Sequence, residues 1–338
     1  MTALVLSTPA SVDTAPLRLE TRPVPSPAPD EILVRVSACG VCRTDLHIVE
    51  GELPLVRSPI VPGHQIVGRV ERVGRSARRF QPGERVGIAW LRQTCGTCDA
   101  CRGGRENLCE GAEFTGYHAD GGFADYAVAS EAFAYAIPPV FGDAEAAPLL
   151  CAGIIGYRAL RRSEVRPGGK LGVYGFGASA HVTLQVARAR GCEVFVCTRG
   201  ASHRELALRL GATWVGDVGD TMPAKMDGTI LFAPAGALVP VALRNLARGG
   251  TLALAGIYMT AVPPLDYERD LFYERNVRSV TANTRADGEE LLAEAARIPV
   301  RTTTTTFPLE EANRALFLLK RGGFAGAGVL LTASGSRV

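Results

Sequence analysis

Between Lys170 and Ala255 the chain alternates short apolar runs with helical patterns, and this alternation narrows the possible folds more than any other feature. Lys170 to Tyr174, Glu193 to Cys197, Gly228 to Phe232 and Thr251 to Ala255 carry the β-branched and aliphatic content of buried strands. Helical patterns follow them: one running through Arg190, then His203 to Leu210 and Val239 to Ala247. Strands and helices in this order predict an α/β fold built on a doubly wound parallel sheet. Upstream the pattern differs. Glu31 to Val36, Ile66 to Val73, Glu84 to Ala89 and Phe123 to Ala129 are short strands broken by Gly and Pro, which predicts a β-rich region. Pro148 to Leu160 predicts a helix where the two styles meet. Beyond the parallel sheet, Thr302 to Thr306 predicts an edge strand and Pro308 to Lys320 a last helix.

At 338 residues the chain can bury two cores. A net charge of only +3 argues against a nucleic-acid or membrane-surface partner. No apolar run approaches the roughly 20 residues that span a bilayer. Met1 to Thr8 reads as a strand without the basic start of a signal peptide, so a cytoplasmic location is expected. In a reducing compartment the nine cysteines should stay free of disulfides, which makes metal binding the first reading of any that cluster.

Four do cluster. Cys95, Cys98, Cys101 and Cys109 are separated by two, two and seven residues. Four thiolates so close in sequence can close a tetrahedron around Zn²⁺, and a polar segment is a poor place for unpaired thiols. A closed four-sulfur set has no room for substrate, so this zinc would be structural.

A second group is more scattered: Cys42 in Cys39-Gly-Val-Cys-Arg-Thr-Asp-Leu-His47, His64 in Pro62-Gly-His-Gln-Ile-Val-Gly68, and Cys151 in Cys-Ala-Gly-Ile-Ile-Gly-Tyr. With these motifs and the four-cysteine lobe, the sequence resembles the zinc-dependent alcohol dehydrogenases of the medium-chain dehydrogenase/reductase superfamily, from about Ala3 to the C-terminus. The resemblance implies a GroES-like catalytic domain over residues 1–147, a Rossmann NAD(P)-binding domain over 148–284 and a return to the catalytic domain over 285–338. It implies that Cys42, His64 and Cys151 hold a catalytic zinc with one open position, so two zincs per chain in all. It also implies that Asp45 orients His64, and that Thr44 takes the substrate proton and passes it through the cofactor ribose to His47. Cys39, Cys192 and Cys197 have no such role and read as packing. Gln65 departs from the glutamate usual in the family, which keeps the shape and loses the charge.

Gly175-Phe-Gly177-Ala-Ser-Ala180 lies between a strand and a helix, the setting of a dinucleotide fingerprint. Arg43 matches a family position that reaches the pyrophosphate, whereas Ala327 replaces an arginine that does so in many relatives. Where NAD enzymes place an acid at the end of the second strand, this chain has Thr198 and Arg199, which favours NADP over NAD. Leu53, Trp90 and Ile257 or Tyr258 match pocket positions, and Ile155 replaces a polar residue near the nicotinamide. The substrate is expected to be a small alcohol or its aldehyde or ketone. A homo-oligomer, dimer or tetramer, is expected through the edge of the parallel sheet, with Thr251 to Ala255 as the apolar run nearest that description. A zinc-free quinone reductase would lack Cys42, His64 and the four-cysteine lobe. A zinc module without enzyme activity would leave the glycine turn without purpose.

Overall fold

The computed structural model describes residues 1–298 and 300–335. The chain forms two compact units, Met1–Cys151 with Ala282–Ala296 and Thr302–Val338, and Ala152–Thr281 with Arg297–Arg301.

The first unit is built on a seven-stranded sheet. Its main path runs Thr304–Pro308, Ala327–Leu331, Glu31–Val41, Gln65–Val73, Arg85–Ile88 and Ala134–Ala136, and Tyr126–Ser130 pairs with the long Glu31–Val41 strand. All pairings are antiparallel except Thr304–Pro308 with Ala327–Leu331. Ile32, Leu33 and Val34 are all fully buried, so this strand is covered on both faces. Two register shifts, at Leu33/Val34 and Val36/Ala38, bend it against Gln65–Val73. Val34, Val36, Ile66, Val86, Ile88 and Phe123 form the core. Each fully buried aliphatic side chain there contributes roughly 1.5–3 kcal/mol. The threonine run forms the expected edge strand at Thr304–Pro308, and the last helix forms over Ala312–Arg321 after a short 3₁₀ turn at Leu309–Glu311.

The second unit is a six-stranded, all-parallel sheet. In space the order is Trp214–Gly216, Glu193–Cys197, Lys170–Tyr174, Met226–Leu231, Leu246–Leu254, Asn276–Ser279. Numbered along the chain these strands run 3-2-1-4-5-6, the doubly wound order whose direction of winding reverses beside Lys170–Tyr174. The β-rich first unit and the doubly wound second unit are the α/β architecture expected from the resemblance, GroES-like and Rossmann-like. Among the described residues, no helix is long and apolar enough to cross a membrane.

Three local expectations are corrected. The helix expected from Pro148 to Leu160 is two pieces, a 3₁₀ turn at Ala147–Leu150 and an α-helix at Ala152–Arg162, with Cys151 between them at φ −135° and ψ −68°. Helical propensity gives way there to a backbone that turns the Cys151 thiol toward its partners. The Val239 to Ala247 helix ends at Asn245, and Leu246 already begins a strand that carries Gly249 and Gly250 in its middle. Finally, Thr251 to Ala255 is not an edge. Its strand pairs on both sides, and the outer strand is Asn276–Ser279. That strand and Trp214–Gly216 lack the apolar run that marks a buried strand; Asn276–Ser279 is exposed at three of four positions.

Candidate functional site

The Glu31–Val41 strand delivers the chain to Cys42, an extended residue (φ −122°, ψ 160°) at the N-cap of the helix Arg43–Glu50. Asp45, three residues on, is fully buried and works in two directions. Its Oδ2 accepts from the Cys42 amide at 2.9 Å, and its Oδ1 accepts from the Gly63 amide at 3.1 Å and faces His64 Nδ1 at 2.9 Å. A carboxylate only accepts, so Nδ1 carries the hydrogen and Nε2 the lone pair. Gly63 makes this approach possible. Its φ is +98°, and a Cβ on it would stand 2.4 Å from the Phe123 ring.

His64 Nε2 is buried with no hydrogen-bond partner. Around it lie the thiols of Cys42 and Cys151, 3.9 Å apart, although 109 residues separate them in sequence. The three ligand atoms all lie within 4.8 Å of one another. Two thiolates bound about 2.3 Å from a tetrahedral zinc would be about 3.8 Å apart, so the spacing and the orphaned nitrogen fit the metal. Three donors leave a fourth position open. The electrostatics agree: the Cys151 thiol beside it holds the Cys42 thiol well below its ordinary value, aided by His64, while Cys151 is pushed up by Cys42 and by burial. Burial works to lower the His64 pKa, but Asp45 and Cys42 outweigh it and carry it to about 10. A positive charge at Nε2, whether a proton or a metal ion in its place, is therefore favoured. Cys39 takes no part; burial raises its thiol, and it packs in the core as expected.

The four-cysteine lobe also closes. Sulfur–sulfur distances are 3.5 Å for Cys98–Cys101 and Cys95–Cys109, and 3.9 Å for Cys95–Cys101. The Cys98 amide donates to Cys95 Sγ at 3.4 Å, and the Cys95 amide faces Cys109 Sγ at 3.5 Å. Donation from the Thr97 and Cys98 amides lowers the Cys95 thiol to about 6, which suits a thiolate ligand. Glu106, nearly buried, ties the lobe to the helix Arg285–Arg297 by accepting from the Arg285 amide at 2.9 Å and its Nε at 3.3 Å.

The helix that begins after Cys42 carries the proposed relay residues outward. Thr44 is buried, its hydroxyl 3.8 Å from Cys42 Sγ, and His47 is half-buried on the next turn, where its Nδ1 meets the Glu52 carboxylate. Glu52 was not anticipated from sequence; a lone acid in a turn gives no signal until the helix end folds it back. Trp90 packs edge-on to the His64 ring at 5.0 Å, Phe114 stacks on Trp90 at 4.8 Å, and Tyr117 tilts against it at 6.0 Å. Leu53 and Trp90 are both half-buried against the same core. Ile257 and Tyr258 lie on an exposed stretch of the second unit, and Ile155 is half-buried in its Ala152–Arg162 helix. Gln65 is buried next to His64, and its Oε1 has no hydrogen-bond partner.

In the second unit Gly175 follows the Lys170–Tyr174 strand at φ +89°, with Ala233 N only 3.0 Å from where a Cβ would stand. Gly177 caps the helix Ala178–Ala189 and has nothing within 4 Å of such a position, an open approach to the helix N-terminus of the kind a pyrophosphate uses. Ala180 is fully buried against the sheet. Thr198 and Arg199 follow the second strand, Thr198 buried and Arg199 exposed. In the first unit Arg43 is exposed at the start of its helix, and Ala327 opens an inner strand.

The chain is similar to known proteins over nearly its whole length. Residues 28–139 match the alcohol dehydrogenase GroES-like domain, and residues 178–297 match the zinc-binding dehydrogenase family. The chain is 53% identical over 336 residues to a probable alcohol dehydrogenase of Mycobacterium tuberculosis, covering 98% of this chain and 97% of that one. Among solved structures, a cobalt- and zinc-bound thermostable alcohol dehydrogenase from Pyrobaculum aerophilum matches with a TM-score of 0.88 and 27% identity over 98% of this chain and 99% of that one. An acetophenone reductase from Geotrichum candidum in complex with NAD matches with a TM-score of 0.88 and 25% identity over 100% and 98%. The chain belongs to the zinc-binding alcohol dehydrogenases of the medium-chain dehydrogenase/reductase superfamily and interconverts alcohols with their carbonyl compounds.

Proposed function

We propose that Cys42, His64 and Cys151 hold the catalytic zinc of this alcohol dehydrogenase, and that Cys95, Cys98, Cys101 and Cys109 hold a second, structural one. The observation that carries the reading is His64 Nε2, buried without a partner between two thiols and locked as a lone-pair donor by Asp45. When bound, the catalytic zinc supplies Lewis-acid polarisation of the substrate oxygen. Thr44 accepts the proton of a small alcohol during oxidation while passing its own hydroxyl proton on toward His47, which exchanges one proton with solvent, and the reverse transfer serves aldehyde reduction. Trp90 and Leu53 line the apolar side of the substrate site.

The second unit binds the dinucleotide. Gly175, Gly177 and Ala180 shape the turn at the pyrophosphate, Arg43 adds a positive charge to it, and Thr198 with Arg199 favours NADP over NAD by accepting the 2′-phosphate. Residues 1–147 and 285–338 would then act as the catalytic domain and 148–284 as the cofactor domain.

The enzyme acts as a homo-oligomer, dimer or tetramer, through its outer strand Asn276–Ser279. This is supported by the exposed Val277 on that strand and by the exposed Tyr267, Phe272 and Tyr273 just before it. Free thiols at all nine cysteines suit a cytoplasmic location.

The central experiment measures zinc per chain and alcohol oxidation in wild type and in Cys42→Ser. Two zincs in wild type, one in the variant and a loss of activity beyond a thousandfold are expected. Near-normal turnover in Cys42→Ser would sink the assignment.

A further inference from the structure

The helix Arg43–Glu50 ends at Gly51, where a left-handed residue (φ 79°) turns the chain back on itself. The Leu53 amide then donates to the His47 carbonyl at 3.0 Å, which closes the turn. Between these two anchors Glu52 is brought against the last turn of the helix, and its Oε2 meets His47 Nδ1. The two side chains span the boundary of the unit: His47 is 16% exposed and Glu52 45%.

We propose that Glu52 is a positioning residue for proton transfer, acting on the tautomer and orientation of His47. This rests on the relay reading of Thr44 and His47 given above. A carboxylate offers no proton to Nδ1, so the contact places the hydrogen on Nδ1 and the lone pair on Nε2. Nε2 is then always the nitrogen that takes the proton, and the ring does not have to rotate or change tautomer before each turnover. The same logic makes Asp45 fix the tautomer of His64, so two acid–imidazole pairs stand at the two ends of one short helix. The inner pair is buried and the outer one reaches solvent.

The step balances without any change in Glu52. Alcohol oxidation removes a hydride from the carbinol carbon, which the dinucleotide would accept when bound, and leaves one proton behind. That proton binds His47 at Nε2 while Nδ1–H remains shared with Glu52, and the imidazolium then releases one proton to water. Glu52 neither gains nor loses one. A turn carboxylate with a purely mechanical role would instead tether Leu53, and its loss would disturb substrate binding.

The two roles separate by experiment. Glu52→Gln keeps the volume but can present an amide N–H to Nδ1, which favours the opposite tautomer. Pre-steady-state alcohol oxidation, with proton release followed by an indicator dye, should slow about tenfold in Glu52→Gln while the Michaelis constant for alcohol stays within twofold. Glu52→Asp should recover most of the rate. In the His47→Gln background, Glu52→Gln should add no further loss, because its effect passes through the imidazole. Two results overturn the proposal while the relay stands: proton release at the wild-type rate in Glu52→Gln with His47→Gln impaired, or a rise in the Michaelis constant that persists in the His47→Gln background. Wild-type proton release in His47→Gln would instead remove the relay itself, and this proposal with it.

Discussion

Asp45 Oδ1 lies 2.9 Å from His64 Nδ1, with both side chains fully excluded from solvent. A buried carboxylate–imidazole pair is costly unless every remaining donor and acceptor is used. Here Asp45 also accepts from two backbone amides, and the one polar atom left over is the His64 nitrogen that faces the two thiols. The folding cost of the pair is therefore tied to a ligand position.

Asp45→Asn should weaken zinc binding at the Cys42 site by roughly 10- to 100-fold, because the amide no longer fixes the tautomer of His64. Competition against a zinc chelator measures this directly. An affinity equal to wild type would mean that Asp45 is merely a helix-capping residue.

Cys98→Ser should release the lobe zinc and lower the melting temperature by at least about 5 °C, since metal-binding energy in such a lobe is partly folding energy. The zinc held by Cys42, His64 and Cys151 should remain. Scanning calorimetry together with metal analysis checks both halves. An unchanged melting temperature after loss of one zinc would show that the lobe folds without it.

The proposed preference for NADP turns on Arg199. A charge-assisted contact with the 2′-phosphate contributes roughly 1.5–3 kcal/mol, which is about ten- to a hundredfold in preference for NADPH. Arg199→Ala should raise the Michaelis constant for NADPH and leave that for NADH nearly unchanged. Thr198→Asp should reverse the preference, because it repels the phosphate and accepts from the ribose. Wild-type kinetics that favour NADH, with Arg199→Ala silent, would contradict the assignment.

His181, on the helix after the glycine turn, is fully buried with neither ring nitrogen paired, and burial lowers its pKa to about 4 from 6.5. The unfolded chain thus binds one more proton than the folded one between those two values. Stability from this residue is present in full above pH 6.5 and drains away as pH falls toward 4, by on the order of 3 kcal/mol. Denaturant midpoints for wild type and His181→Leu at pH 7 and pH 4.5 isolate the effect, because the zinc ligands titrate in both. The variant should lose less stability on acidification. Equal losses would mean that the folded state takes up the proton as readily as the unfolded chain, with His181 finding a partner when protonated.

Much of this molecule was legible from sequence for one reason: the features concerned are closed by residues near each other in the chain. The four-cysteine lobe needs fifteen consecutive residues. The turn at Gly175 needs a strand, two glycines and a helix start, and Lys170–Tyr174 and Glu193–Cys197 form as strands where their apolar runs fall. Cys42, His64 and Cys151 were found through their motifs, which a resemblance could supply and local spacing could not.

What the tertiary structure decided is what depends on distant partners. Cys151 leaves the helical pattern that its neighbours prescribe because its thiol is drawn to within 3.9 Å of Cys42. Asn276–Ser279 is the outer strand although its residues carry no apolar signature, since its place is set by pairing with Leu246–Leu254. Glu52 reaches His47 through a glycine turn that composition alone does not aim. Sequence by itself determined which short segments could bind metal, bend at a phosphate or form strands. Packing chose which of those segments meet, because a long-range contact forms only when the whole core that carries it closes at once.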